Sequence, residues 1–184
     1  MSSSDLIRWG GIAGMFGGLL WAVWGLLIWV YPYAGGGSFS EGLFILVFLL
    51  AALLTLAGLM GLHVLQGGNY GRIGRAGFYT AGVALLAQAL AAFFLLLGNE
   101  ALQWLAFPLG SLAVLVGLVL YGAATLQARL LAPWCGVGLI VVPPIAFFSL
   151  FYGGNALFGV LWVALGYVLW SQRGASAQRP SRVR

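Results

Sequence analysis

The run LFILVFLLAALLTLAGLMGLHV, from Leu43 to Val64, decides the fold. Apart from Thr55, Gly58, Gly61 and His63, all of its 22 residues are apolar. A transmembrane helix needs about 20 predominantly apolar residues to cross about 30 Å of hydrocarbon, and this run supplies them. A soluble helix of that length would keep a polar face for water, and this one has none.

Five more segments of the same kind flank it: Gly11–Val30, Gly77–Leu96, Leu105–Thr125, Trp134–Tyr152 and Asn155–Trp170, the last being the shortest and the least secure crossing. The gaps between them are short and rich in turn formers, as in Gln66-Gly67-Gly68-Asn69 and Gly98-Asn99-Glu100. Consecutive helices must therefore be antiparallel neighbours, with no separate soluble domain. The sequence predicts an all-α, six-helix transmembrane bundle over residues 1–171 and a disordered basic cytoplasmic tail over 172–184.

Composition agrees. Of 184 residues, 62% are apolar and 6% are charged, and the charges are eight arginines, two glutamates and one aspartate. An ordinary soluble domain is about 25% charged. Eleven charges cannot cover a soluble surface of this size, which excludes a soluble enzyme. One cysteine, Cys135, excludes an intramolecular disulfide. The net charge of +5 is not a nucleic-acid signature, because the arginines are dispersed between apolar runs instead of forming a basic face.

With six spans, Arg8, Arg72, Arg75, Arg129, Arg173, Arg179, Arg182 and Arg184 all fall on one side of the membrane, while Glu41 and Glu100 fall on the other. Only Asp5 shares the arginine side. Positive loops stay inside, so both termini are expected in the cytoplasm and the protein in the plasma (inner) membrane of a bacterium. Trp29, Tyr31, Tyr33, Trp104 and Tyr152 then mark the outer interface, and Trp9, Tyr70, Trp134 and Trp170 the inner one. Trp21 and Trp24 lie too deep for either belt and must face lipid or a neighbouring helix. The first run is longer than the roughly 7–15 residues of a signal-peptide core and reads as an uncleaved span. Its alternative is cleavage near Ala34.

Close packing is written into the small residues. Gly10, Gly14 and Gly18 recur at four, and Gly11, Gly18 and Gly25 at seven. Such faces admit another helix closely, either within the bundle or in a dimer. Each returning span also ends near a glutamine (Gln66, Gln127, Gln172), and Gly61 and Gly122 precede two of these by five residues, which hints at three parallel hairpins.

Chemistry is sparse. No charged residue lies inside an apolar run, which argues against proton or ion pumping. No cluster of metal ligands, phosphate loop or nucleophile elbow is present, so neither a catalytic residue nor a cofactor is assigned. His63 is the only histidine, which rules out a haem held by two histidines, and Cys135 reads as a small hydrophobe.

Two constellations remain. Pro143 and Pro144 sit mid-way along the fifth span and leave the carbonyls of Leu139 and Ile140 without helical donors, so a kink or break is expected there. Thr55 and Gln88 lie near the same depth on other spans and could donate to those carbonyls, which makes a small mid-membrane polar site conceivable. At the cytoplasmic interface, His63, Tyr121, Thr125 and Arg129 are the only polar groups that could converge on a lipid headgroup.

The opening Arg8-Trp9-Gly10-Gly11, followed by Gly17-Gly18-Leu19-Leu20-Trp21, resembles the start of small uncharacterised multi-pass proteins of high-GC, actinobacterial-type bacteria. The resemblance covers the first span and the general layout, and it implies an integral membrane protein and nothing sharper. Three readings follow: a non-enzymatic structural, stress-related or complex-subunit protein; a channel or carrier for a small neutral or apolar solute; and a membrane enzyme acting on lipid. The expected partners are membrane lipids, with a second copy or another membrane protein also open and nucleic acid excluded.

Overall fold

Helix starts and stops follow the turn chemistry. The computed structural model describes residues 3–30, 38–67, 71–99, 101–149 and 153–171. Those residues form six helices: α1 (Ser3–Val30), α2 (Ser38–Gln66), α3 (Gly71–Leu96), α4 (Gln103–Ala128), α5 (Pro133–Phe148) and α6 (Gly154–Ser171). After α3, Gly98 takes the left-handed conformation (φ 80°), and the Asn99 N–H reaches back to the Phe94 carbonyl at 2.9 Å. This return bond satisfies a carbonyl the helix would otherwise leave open. The basic tail, the stretch around Ala34 and residues Tyr31, Tyr33, Tyr70, Glu100 and Tyr152 lie outside the described residues.

Five of the helices are long and apolar enough to cross a membrane. The exception is α5, not the last helix. α6 has 18 residues and α5 has 16, about 24 Å at 1.5 Å per residue. Pro133 starts α5 at its first turn, where a missing N–H costs nothing, and the helix closes at Ser149, whose hydroxyl bonds the Ile145 carbonyl. The chain stays helical through Pro143 and Pro144, so the expected interruption is not a gap in the helix.

The helices pack as a ring in chain order. α1 touches both α2 and α6, α3 packs on α4, α4 on α5, and contacts α2–α3 and α5–α6 complete the circle. A contact between α2 and α6 closes the centre on the α1 side. Consecutive helices are antiparallel. The described arginines Arg8, Arg72, Arg75 and Arg129 therefore gather at one end of the bundle, and Glu41 lies at the other. We call these the arginine end and the Glu41 end.

Glycine sets the closest approaches, all of them within the bundle. A methyl group built on Gly10 would lie 2.6 Å from the Gly61 Cα on α2. One on Gly18 would lie 2.5 Å from the Gly159 carbonyl oxygen on α6, and one on Gly166 would lie 2.5 Å from the Gly11 carbonyl. Gly11, Gly18 and Gly25 face α6, while Gly10 and Gly17 face α2. Gly14 sits where α1, α2 and α6 meet, against Gly58, Gly166 and Trp162. On α4, Gly117 receives Ala81, while Ala87 faces outward. The hairpin repeat is not carried by these contacts: Gly61 packs on its own hairpin partner α1, whereas Gly122 packs on the next hairpin at Gly136.

The outer surface is apolar on all sides. Phe16, Leu26, Val83, Leu105, Leu109 and Val160 are exposed on four different helices. Large apolar side chains on both the inside and the outside of a bundle are tolerated only where the solvent is hydrocarbon. The fold is that of an integral, multi-pass membrane protein in contact with lipid.

Candidate functional site

The arginine half of the bundle is filled. Tyr121, Leu118, Leu139, Trp162 and Leu165 are fully buried there and at mid-depth. Toward the Glu41 end the packing opens into a cavity of about 380 Å³. Its walls are Trp21 and Trp24 of α1, Phe44 and Phe48 of α2 and Phe107 of α4. Helix periodicity places these rings together: Trp21 and Trp24 are three residues apart on one face, and Phe44 and Phe48 are four apart on another.

The rings brace one another. Trp21 meets Phe48 edge-to-face at 5.3 Å and Trp24 at 5.5 Å, and Phe48 meets Phe107 at 5.1 Å. Such pairs contribute about 0.5–1.5 kcal/mol beyond burial and hold the wall in one geometry. Trp21 is tied further by its indole N–H, which donates to Thr55 Oγ1 at 2.9 Å.

A few polar groups interrupt this wall: Glu41, Gln103, Ser111 and Asn155. Asn155 is 6% exposed and Trp24 9%, and Asn155 Nδ2 and Trp24 Nε1 are buried without a hydrogen-bond partner. Each such donor calls for an acceptor, which a water in the cavity can bring. Below the main cavity lies a narrower one of about 60 Å³, lined among others by Gln88, Pro143 and Phe158. The two share Trp21, Ser111 and Asn155, which form the floor of the upper and the roof of the lower.

The mid-membrane constellation is divided by the ring order of the helices. Gln88 donates to Ser111 Oγ at 2.8 Å and toward the Phe107 carbonyl at 3.5 Å, both on α4. Gly110 makes the room, since a methyl there would lie 2.7 Å from Gln88 Cγ. Thr55 accepts from Trp21 on α1. Leu139 and Ile140 pack over Gly122, nearer the arginine end. Gln88 and Pro143 do share the narrow cavity, while Pro144 is half-buried and lines neither cavity.

Packing takes up two of the interfacial quartet and leaves Arg129 outside. Tyr121 and Thr125 are buried, and Thr125 donates to the Tyr121 carbonyl at 2.8 Å while accepting from Gln66 Nε2 at 2.8 Å. His63 stacks on Phe78 at 3.9 Å between ring centres. Arg129 is exposed, in the left-handed turn that ends α4. Cys135 is buried in the core. Among the described residues, no three of His, Cys, Asp and Glu lie together as metal ligands would.

The residues that sequence reasoning missed are Glu41, Phe44, Phe48, Phe107, Ser111 and Asn155. One signal was present: Trp21 and Trp24 lie too deep for an interfacial belt, and both turn out to face helix neighbours around the cavity. Fold and site together define a multi-pass helical membrane protein with an aromatic cavity at one end. No protein-family model, no curated protein and no solved structure matches the chain.

Proposed function

We propose that this is a non-enzymatic membrane protein that holds a small, largely apolar solute in the cavity at the Glu41 end, as a binding protein or carrier. One observation supports this: the bundle is packed shut in its arginine half yet keeps about 380 Å³ open beside rigid aromatic walls. A bundle serving only as structure gains dispersion contacts by filling such a space. Cavities of about 300–1,000 Å³ with apolar walls and a few polar groups are the usual form of small-molecule sites. In this reading the arginine end faces the cytoplasm and the cavity opens away from it.

Native mass spectrometry on protein released from a lipid-preserving preparation tests the proposal. The wild-type chain is expected to carry a defined small-molecule mass. An Ile45→Trp variant, whose indole fills the cavity from α2, is expected to lose it. Wild-type protein carrying only bulk lipid, or an adduct that survives in Ile45→Trp, contradicts the assignment.

A further inference from the structure

Resting on the reading of this cavity as a binding site, we infer that its ligand is an organic cation: a substituted ammonium head on a compact apolar body, with Glu41 as counter-charge.

The walls supply the first argument. Five aromatic rings surround the space, and the negative faces of such rings attract a cation within about 6 Å of the ring centre. That attraction grows where water is excluded, and a substituted ammonium gives up its hydration more readily than a small metal ion. The charge balance supplies the second. Among the described residues, Glu41 is the only charged one lining the cavity, and the other polar groups there, Gln103, Ser111 and Asn155, are neutral. Arg8, Arg72, Arg75 and Arg129 lie at the far end of the bundle.

The helix ends do not reverse this balance. α2, α4 and α6 begin at the Glu41 end, and their partial positive charges favour an anion. α1, α3 and α5 finish at that same end, so partial negative charges alternate with the positive ones around the ring and offset them. Among the described residues, the Glu41 carboxylate is the net charge that remains at this end, and low-dielectric walls focus its field into the cavity.

A matched pair of probes tests the inference. Phenyltrimethylammonium and its uncharged carbon isostere tert-butylbenzene have nearly the same shape and differ in charge. Each is titrated calorimetrically into the full chain in nanodiscs of zwitterionic lipid, with empty discs subtracted. The cation is expected to bind about tenfold or more tightly than the isostere. In Glu41→Gln the affinity for the cation should fall about tenfold at low salt, with the isostere unchanged. Ile45→Trp should block both probes.

Equal binding of the two probes overturns the cation inference and leaves the cavity as a site for neutral apolar solutes. A preference that survives unchanged in Glu41→Gln also overturns it, because the counter-charge would then lie elsewhere. Binding of neither probe, together with a wild-type chain that releases no ligand in native mass spectra, overturns the cavity reading itself.

Discussion

A Gly18→Ala protein will lose about 2 kcal/mol or more of stability against denaturant in detergent. The added methyl group would lie 2.5 Å from the Gly159 carbonyl oxygen and 2.6 Å from the Val163 backbone nitrogen. Both are main-chain atoms, so no side chain can swing aside and α1 must move away from α6. In a membrane this matters more than its volume suggests. Lipid is as apolar as leucine, so helix association depends on close contact and has no hydrophobic drive to fall back on. Gly42→Ala is the control, since nothing lies within 4 Å of a methyl group there and alanine favours the helix. It should leave stability unchanged or raise it slightly. Equal losses in the two variants would mean that α1 and α6 do not meet as described.

Trp21→Ala will cost about 3 kcal/mol and join the two cavities into one. The Trp21 ring contacts Trp24, Phe48 and Phe158, bonds to Thr55, and forms the partition between the upper and lower spaces. The estimate sits toward the low end of aromatic truncations because the unfolded reference is lipid-solvated, leaving mainly the term for the vacated space. Trp21→Phe separates the contributions. It keeps most of the packing and removes the N–H bond to Thr55, a loss of about 0.6 kcal/mol by analogy with other buried bonds between membrane helices. Denaturant titration of both variants measures the difference. If Trp21→Phe is as damaged as Trp21→Ala, the hydrogen bond and not the ring closes the bundle.

Much of the architecture could be read from residues because hydrocarbon leaves the chain few options. The run Leu43–Val64 has to be a spanning helix, and the arginines sort to one side only if the runs are counted as six. Helix ends were less legible. α2 begins at Ser38 and α3 at Gly71, each several residues outside its apolar run, because a helix continues past the hydrocarbon boundary wherever nothing stops it. The end of α5 is described to Phe148 and Ser149, and the rest of its apolar run lies outside the described residues.

The site was legible only in fragments. Thr55 and Gln88 stood out as polar groups at mid-depth, and both are buried and bonded. Their partners, Trp21 and Ser111, depend on which helices adjoin, and periodicity along one chain carries no information about order around a ring. Glu41 read as a marker of topology because nothing local ties it to aromatic rings on α1 and α4. The glycine heptad Gly11, Gly18 and Gly25 was visible, but whether it met a second chain or this chain's own α6 was not.

The most direct test of the account is cysteine accessibility along the cavity wall. In a Cys135→Ala background, Ile45→Cys lines the cavity near its mouth, while Leu118→Cys lies in the closed core. Each is treated in intact cells with a membrane-impermeant maleimide. Position 45 is expected to be labelled from outside, phenyltrimethylammonium to slow that labelling, and position 118 to stay unreactive. Labelling of position 45 only after the cytoplasmic face is exposed, or equal labelling at both positions, would contradict the account.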